Sequence, residues 1–283
     1  MRSWRCKDRL LDVFERPHIM GILNVTPDSF SDGGLHYDRE AAVARAIQMV
    51  DEGADIIDVG GESTRPGAEP VGEEEEMDRV VPVISAITDR IDVPVSVDTT
   101  KAAVAEAALG AGAVIVNDVS AMRHDPAMAK IVEASGAGIV LMHMLGEPRS
   151  MQSNPKYLDV VGDVRSALMD WAAGAERAGI SSECIAIDPG IGFGKTLQHN
   201  QLLIKSVGLF AEYGYPLMVG PSRKSFIGMT LNLPVEERIE GTAAVVAWCV
   251  AQGANIIRVH DVAHMSRVVR MVHAIRGAGE VGS

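Results

Sequence analysis

The sequence predicts an α/β fold, a (β/α)8 (TIM) barrel with a short N-terminal extension. Two observations predict it. Eight short apolar runs recur along the chain, and each has a polar residue at its end or next to its end. Four of these runs follow a Gly-Ala pair, at Gly53, Gly112, Gly136 and Gly253. Buried strands that alternate with helix-like stretches are most simply joined as βα units in a closed parallel barrel.

The strands and helices follow from spacing. The predicted strands are Ile19–Asn24, Ile56–Val59, Val93–Asp98, Val114–Asn117, Ile139–His143, Ile185–Asp188, Leu217–Ser222 and Ile256–His260. Apolar stripes at helical spacing predict three of the helices: Val43, Ile47 and Val50; Val160, Val164, Leu168, Trp171 and Ala175; Val268, Val272 and Ile275. The glycines that follow the stripes suit the left-handed position after a helix. We expect an extension at 1–17, a barrel at 18–277 and a tail at 278–283.

Composition narrows the possible partners. The chain has 283 residues, of which 47% are hydrophobic, and a formal net charge of −12. That charge argues against nucleic acid or an anionic membrane as a partner.

Cys6, Cys184 and Cys249 form neither a disulfide framework nor a metal motif, which favours a cytoplasmic protein. Residues 1–17 contain no apolar stretch long enough for a signal peptide.

The segment Gly241–Ala251 is apolar nearly all round, so one side is expected to face the barrel and the other a second subunit, in a homodimer.

Loop length points to the functional face. Long Gly- and Pro-containing segments follow the first and second predicted strands, at Asn24–Gly34 and Gly60–Ala68. Such loops at the carboxyl end of a barrel are typically mobile lids over an active site. After the third, fourth and sixth strands we expect the helix to resume quickly.

Polar side chains gather at the predicted strand ends. They are Asn24, Asp58, Glu62, Asp98, Asn117, His143, Asp188, Ser222, Arg223, Lys224, Arg258 and His260. Acids and an amide come from the third, fourth and sixth strands, and cations from the last two. A carboxylate beside an amide suits the flat donor–acceptor edge of a pterin or a guanine. Arg258 and His260 share one strand face and suit an anionic group.

Four features have more ordinary interpretations. Asp58 is expected to cap the next helix, as an aspartate after a strand often does. Glu73–Glu76 are expected to complement a helix dipole. For His143, a hydrogen-bonded rim histidine and a ligand-binding one are equally open. The stretch Pro189–Thr196 nearly matches a P-loop, but proline replaces the first required glycine, so a Gly-rich turn under the ligand is the better interpretation. No ligand spacing for a protein-only metal cage is present.

Two long motifs make the chain recognisable. Ile22–Gly34 resembles the first signature of the dihydropteroate synthase family, and Asp58–Gly67 resembles the second. Shorter matches follow in order to the C-terminus: Ser96–Thr99, Asn117-Asp118, Leu141–Met144, Asp188–Lys195, Ser222–Ser225 and Arg258–Asp261. The resemblance implies condensation of (7,8-dihydropterin-6-yl)methyl diphosphate with 4-aminobenzoate, which gives 7,8-dihydropteroate and diphosphate in folate biosynthesis.

The resemblance also implies roles for individual residues. The pterin would be held by Asp98, Asn117, Asp188, Lys224 and the stacked Arg258. The diphosphate would be held by Asn24, Thr64, Arg258 and His260, with Mg2+ on the diphosphate and Asn24 as its protein ligand. The aminobenzoate pocket would comprise Phe30, Thr64, Pro66, Phe193, Lys224 and Ser225. Asp32, Asp98 and Lys224 would be catalytic.

The chemistry suggests why such a site would work. Diphosphate needs its departing charge neutralised, and an electron-rich pterin can delocalise the cation that remains. An aniline needs little activation, so the work lies in stabilising the leaving group and excluding water. We expect Asp32 on the first loop and Arg65 on the second to act together in a lid. Pro221 departs from the family pattern and is expected to stiffen the loop after the seventh strand.

Three alternatives stay open on the sequence. A pterin-dependent methyltransferase would share the barrel and the Asp/Asn/Asp site, but it would not need the Asn24–Gly34 signature. A non-catalytic pterin-binding paralogue would lack one of the loop or strand-end groups, and none is missing. A barrel isomerase or aldolase would need a strand-borne base, for which Lys224 is the candidate.

Overall fold

The computed structural model describes residues 2–26, 35–63, 69–147 and 149–279, without the side chains of residues 35–38. Eight parallel strands form the barrel, and a two-stranded antiparallel hairpin precedes them. The strands are β1 (Trp4–Cys6), β2 (Arg9–Leu11), β3 (His18–Asn24), β4 (Ile56–Gly60), β5 (Val95–Asp98), β6 (Ile115–Asp118), β7 (Gly138–Met142), β8 (Ile185–Asp188), β9 (Met218–Val219) and β10 (Ile256–Val259).

Neighbouring strands of the barrel pair in chain order from β3 to β8, and β10 lies between β9 and β3. A bridge between Ile187 and Leu217 closes the ring between β8 and β9. The predicted (β/α)8 barrel is therefore confirmed. The seventh predicted strand is much shorter than expected, since regular pairing is limited to Met218–Val219 and Pro221 has no N–H to offer a ladder.

Helices surround this ring. They are α1 (Leu35–Asp51), α2 (Glu73–Thr88), α3 (Ala102–Gly110), α4 (Met128–Ser135), α5 (Val160–Arg177), α6 (Leu197–Lys205), α7 (Gly208–Ala211), α8 (Ser225–Leu231), α9 (Ile239–Ala251) and α10 (Val262–Arg276). Short 3-10 turns lie at Ser182–Cys184 and Val235–Glu237. No helix within the described part of the chain is both long and apolar enough to cross a bilayer.

Three expectations about these elements need correction. The helix resumes quickly after β5, but not after β6 or β8, where residues 119–127 and 189–196 intervene. The longest connection at this face is 143–159, after β7, and not one of the two loops expected to be long after the first and second strands. On α10 the buried face is Val262, Met265, Ser266 and Val269, whereas Ile275 of the predicted stripe is 62% exposed.

The helix α9 is buried on one side only. Thr242, Val246, Cys249 and Val250 face the core, whereas Ala244, Trp248 and Ala251 are exposed. The exposed side of α9 is therefore apolar, and the second buried side expected from its sequence is not supplied by the described residues of this chain.

The N-terminal hairpin closes the amino-terminal end of the barrel. Trp4 and Cys6 are fully buried and pack in one cluster with Met20, Ile56 and other residues of the barrel floor. The indole Nε1 of Trp4 donates to the carbonyl oxygen of Cys184 at 2.9 Å. Gly138 leaves room for this contact, because a Cβ there would lie 2.5 Å from Cys6 Sγ. The hairpin therefore seals the floor of the barrel, and the open mouth is at the opposite end.

A buried lysine ties together the loops after β7 and β8 at the mouth. Lys195 Nζ lies 3.1 Å from His143 Nδ1, 3.2 Å from the His143 carbonyl and 3.0 Å from the Phe193 carbonyl. The His143 ring stacks on Trp171 with a centroid distance of 5.4 Å. Burial, with help from Lys195 and Arg123, lowers the pKa of His143 to about 3. Burial also lowers the pKa of Lys195 to about 7, although Asp188 opposes the fall.

This arrangement predicts a pH dependence of stability. The unfolded chain gains a proton on His143 below a pKa of about 6.5, whereas the folded protein gains none until about pH 3. Neutral His143 therefore contributes to the free energy of unfolding above pH 6.5. This contribution is lost as the pH falls toward 3, at up to about 1.4 kcal/mol per pH unit. We expect His143→Gln to lower stability at pH 7 and to flatten its decline between pH 7 and 5 by roughly 2 kcal/mol. Denaturant unfolding at both pH values measures this, with exposed His264→Gln as the control; equal slopes for wild type and His143→Gln would contradict it.

Candidate active site

The mouth of the barrel carries a row of polar residues in one register. Asn24 on β3 pairs with Gly60 on β4, Gly60 with Asp98 on β5, and Asp98 with Asn117 on β6. A Cβ at Gly60 would lie 3.5 Å from Asp98 Cβ and 3.8 Å from Asn24 Oδ1. The absence of a side chain at Gly60 thus lets Asn24 and Asp98 face the same space.

A deeper layer contains an acid whose position in the sequence suggests a helix cap. Asp58 lies two residues before Gly60 on the same face of β4, and it is completely buried. Its Oδ2 accepts from Arg258 Nε at 2.6 Å and from Asn117 Nδ2 at 3.0 Å. The prediction that Asp58 caps the next helix is wrong, because α2 begins only at Glu73 and its N-cap residue is Gly72.

Arg258 joins the two acids from β10, which lies on the other side of β3. Its Nη2 donates to Asp98 Oδ2 at 2.6 Å while its Nε holds Asp58. Burial acts to lower the pKa of Arg258, but Asp58 and Asp98 outweigh it, and the pKa lies above its usual value. Burial also raises the pKa of Asp98 to about 7, although Arg258 opposes the rise. Arg258 therefore stays charged and allows two acids to be buried side by side.

A second pair of opposite charges lies on the other side of the mouth. Asp188 ends β8, is buried, and accepts from the Gly190 N–H at 2.7 Å. Burial raises the pKa of Asp188, and Lys224 opposes the rise. Burial lowers the pKa of Lys224 to about 7, and here Asp188 is the opposing influence. Lys224 Nζ also donates to the Ile191 carbonyl and lies 4.3 Å from the centroid of the Phe193 ring.

The near P-loop at Pro189–Thr196 is a tight glycine turn, as expected. Gly190 has φ of 66°, and a Cβ there would lie 1.9 Å from the His143 carbonyl oxygen. A Cβ at Gly192 would lie 2.7 Å from Lys224 Cδ. These glycines let the turn press against the loop after β7 on one side and Lys224 on the other.

The loops after β9 and β10 are tied together by polar contacts. His260 Nδ1 lies 3.0 Å from Ser222 Oγ, and the His260 N–H donates to the same oxygen at 3.2 Å. Arg223, one of the strand-end cations, pairs with Asp261 in a fork through Nε and Nη2. Arg223 is therefore engaged between the two loops.

The structure brings six of the predicted site residues to one mouth: Asn24, Asp98, Asn117, Asp188, Lys224 and Arg258. Phe193 lies beneath Lys224, and Ser225 is the exposed first residue of α8. Phe30, Asp32, Thr64, Arg65 and Pro66 lie outside the described residues, so their predicted roles stay predictions. Two roles were open for His143, a hydrogen-bonded rim histidine or a ligand-binding one. The contact with Lys195 favours the first role.

One acid of the Glu73–Glu76 run has a role beyond the helix dipole. Glu76 is fully buried and pairs with Lys101 Nζ at 2.5 Å, and the same ammonium pairs with Glu62. The prediction of a purely dipolar role is therefore wrong for Glu76. Glu62 belongs to this cluster on the helix side of β4 and β5, since a Cβ at neighbouring Gly61 would meet Val80 and Glu76 of α2.

The mouth offers mainly acceptors to a ligand. Asp58 Oδ1, Asp98 Oδ1 and Asn117 Oδ1 are buried without a hydrogen-bond partner among the described residues. Buried acceptors are normally satisfied, and leaving one unpaired costs about 1–3 kcal/mol. The oxygens of Asp98 and Asn117, in the upper layer, suit a flat ligand with several N–H donors, and Lys224 and Arg258 supply donors for its remaining acceptors.

Comparisons with known proteins agree with this geometry. The sequence profile of the pterin binding enzyme family matches residues 20–260. The dihydropteroate synthase of Bacillus subtilis (strain 168) is 47% identical over 275 residues, which cover 97% of this chain and 94% of that protein. The crystal structure of the Yersinia pestis dihydropteroate synthase with a sulfonamide drug superposes with a TM-score of 0.91 at 44% identity, covering 96% of this chain and 98% of that one.

A further structure shows a pterin product in the same fold. The dihydropteroate synthase of Xanthomonas albilineans in complex with 7,8-dihydropteroate has a TM-score of 0.87 and 40% identity, with coverage of 97% of this chain and all of that one (100%). These similarities extend over nearly the full length of each protein and include both signature motifs. The chain therefore belongs to the pterin-binding enzyme family and, within it, to the dihydropteroate synthases.

Proposed function

We infer that this protein is a transferase of folate biosynthesis. It condenses (7,8-dihydropterin-6-yl)methyl diphosphate with 4-aminobenzoate, and the products are 7,8-dihydropteroate and diphosphate. The observation that carries this function is the acceptor-rich mouth built by Asp98, Asn117 and Asp188, in a chain with full-length similarity to dihydropteroate synthases. A methyltransferase or a non-catalytic paralogue would share this mouth, so the full-length similarity to dihydropteroate synthases is what favours the condensation over them.

We propose that the two charged sides of the mouth divide the substrate between them. Asp188 and Asn117 would accept from the amino and ring N–H groups of the pterin, and Lys224 would donate to its carbonyl oxygen. Asp98 and Asn24 border the same space at Gly60, so Asp98 would face the part of the pterin close to the leaving group. His260 and Arg258 would contact the diphosphate, Arg258 after its guanidinium gives up part of its contact with the acids.

Bond formation then needs little from a general base. The C–O bond to diphosphate breaks, the exocyclic methylene carries positive charge into the pterin ring, and the aniline nitrogen attacks that carbon. The proton lost from nitrogen passes to diphosphate or to solvent. Buried Asp98 lies where a negative charge would stabilise the cation, and Phe193 and Lys224 would border the aminobenzoate ring.

A magnesium ion fits the residues of this mouth as a companion of the diphosphate. The described residues contain no group of three or more His, Cys, Asp or Glu side chains arranged for a metal. Asn24 Oδ1 faces the space beside Gly60, and an amide oxygen is a ligand that Mg2+ accepts. We propose that Asn24 would supply the protein ligand and that bound Mg2+ would offset the charge of the leaving diphosphate.

We also propose a homodimer in the cytoplasm. The three cysteines are buried free thiols, as a reducing compartment allows. The exposed apolar side chains of α9 and α10 include Trp248 at 48%, Met271 at 63% and Ile275 at 62% exposure. Exposed apolar surface of this kind marks interaction sites, and a second copy would cover it in the way that the apolar sequence of α9 predicts.

The reaction itself is the first test. With the pterin diphosphate, 4-aminobenzoate and Mg2+ all present, we expect stoichiometric release of diphosphate and formation of 7,8-dihydropteroate. Omission of any one component should abolish the product. Diphosphate release is measured with a coupled phosphate assay, and dihydropteroate by chromatography. Diphosphate release that is independent of 4-aminobenzoate, with no dihydropteroate formed, would contradict the proposed reaction.

Asp188 tests the pterin end of the site. In Asp188→Asn one side-chain oxygen can still accept from Gly190, but an NH2 group replaces the acceptor that we assign to the pterin. We expect pterin affinity to fall about 100-fold or more, because ligand and protein donors would then face each other. Isothermal titration calorimetry with a pterin measures the loss. Glu183→Gln, at the opposite end of the barrel, is the control, and unchanged affinity in Asp188→Asn would remove Asp188 from the site.

The homodimer is tested on α10. We expect the double variant Met271→Glu, Ile275→Glu to sediment as a monomer while the wild type sediments as a dimer, because four buried charges per dimer cannot be desolvated cheaply. Analytical ultracentrifugation measures the mass, and circular dichroism checks the fold. Leu10→Glu is the matched control, since Leu10 is 67% exposed on the N-terminal hairpin. A monomeric wild type, or a double variant that remains dimeric, would contradict this interface.

A further inference from the structure

The pterin roles proposed above leave Asp58 without an assignment. This acid is fully buried one layer below Asp98 and Asn117, at the register of Ser96. Its Oδ2 receives both Arg258 Nε and Asn117 Nδ2. A single oxygen therefore connects the guanidinium on the last strand to the amide on β6.

The contact with Arg258 fixes the direction of both hydrogen bonds. A guanidinium has donors only, so Asp58 Oδ2 must accept from it. An oxygen that accepts from Arg258 as an ionised carboxylate offers Asn117 no proton, so Asn117 must turn its NH2 group toward Asp58. The opposite amide orientation would place two oxygens against each other in a buried site.

The orientation of Asn117 decides what the ligand meets. With its NH2 group on Asp58, Asn117 presents its carbonyl oxygen and one remaining N–H to the mouth, and that oxygen is buried without a partner among the described residues. This pattern suits a ring edge with an amino group next to an acceptor nitrogen. A ring with a second carbonyl in place of the amino group would set oxygen against oxygen.

We propose that Asp58 is a positioning residue that sets the hydrogen-bond polarity of the pterin site, so that the site selects the 2-amino over the 2-oxo ring. The proposal rests on the proposed function, because it assumes that the ligand is a pterin. Asp58 acts through Asn117, and it also keeps Arg258 anchored at the acid side of the mouth. It touches neither the ligand nor the reacting atoms.

Three substitutions of Asp58 separate this role from simple support of the fold. In Asp58→Asn the amide oxygen can take the place of Oδ2 and still accept from both Arg258 and Asn117. In Asp58→Ala that acceptor is gone, and the Asn117 amide can turn over. Asp58→Leu also removes the acceptor but fills the volume, which keeps the test available if the alanine variant does not fold.

The measurement is the ratio of two dissociation constants, taken by calorimetry on the full chain. The ligands are a 2-amino-4-oxo pteridine and its 2,4-dioxo analogue. We expect the wild type to prefer the 2-amino ring by about 100-fold. Asp58→Asn should keep that ratio within about threefold, whereas Asp58→Ala and Asp58→Leu should reduce it by about tenfold, the value of one reversed hydrogen bond.

Ser96→Ala is the matched control, since Ser96 pairs with Asp58 in register and its Oγ has no hydrogen-bond partner among the described residues. A purely structural role for Asp58 would lower the melting temperature and leave the ratio unchanged. An unchanged ratio in folded Asp58→Ala and Asp58→Leu would therefore overturn the proposal. A wild type that binds neither pteridine would instead count against the proposed function.

Discussion

Charge balance around Arg258 is the constraint on which the mouth of this barrel depends. Asp58 and Asp98 would repel each other in a buried layer, and each bare carboxylate would cost several kcal/mol to remove from water. Arg258 offsets both at once, with two hydrogen bonds of 2.6 Å from the last strand to β4 and β5. The acids can therefore be buried only when β10 is in place, so closure of the barrel and assembly of the site are one event.

The same logic is repeated across the mouth with different chemistry. Asp188 and Lys224 offset each other's burial, but burial still raises the pKa of Asp188 and lowers that of Lys224 to about 7, whereas the pKa of Arg258 lies above its usual value. The fixed pair contains arginine, which stays charged, whereas the adjustable pair contains lysine. A site with one rigid and one adjustable pair can hold a neutral heterocycle and still respond to charge that develops nearby. The formal net charge of the whole protein is −12, so the positive charge at the mouth comes from a few local side chains such as Arg258 and Lys224.

Much of this could be predicted from the sequence because it is periodic. Strand ends repeat along the chain, and parallel strands bring their carboxyl ends together, so Asp98, Asn117 and Asp188 were identified without coordinates. Asp58 was missed because a cap and an inward-facing acid look alike locally, and its partner Arg258 is 200 residues away. The alternation of side chains along a strand does carry a signal. Asp58 and Gly60 are two residues apart on β4, so Asp58 points to the same face as the position beside Asn24 and Asp98.

Other errors have similar causes. Glu76 stands in a run of four acids, and only the packing of α2 on β4 and β5 separates the buried one from its exposed neighbours. The long segment after β7 contains Gly146 and two prolines, a turn signal that was present but outweighed by the signature loops. The apolar sequence of α9 predicts two buried sides, but only one of them packs on the barrel, because the other needs a surface that the described residues of one chain do not supply.

The plugged floor of the barrel has a consequence for biosynthesis. Trp4 finds its hydrogen-bond acceptor 180 residues later, at Cys184. At about 5–20 residues per second, a ribosome needs on the order of ten to forty seconds to make that stretch. Leu11 and Met20, which pair or pack with Trp4, are made early in that interval, but the indole N–H has no native acceptor until Cys184 emerges, so the hairpin can form long before it can be locked onto the barrel floor.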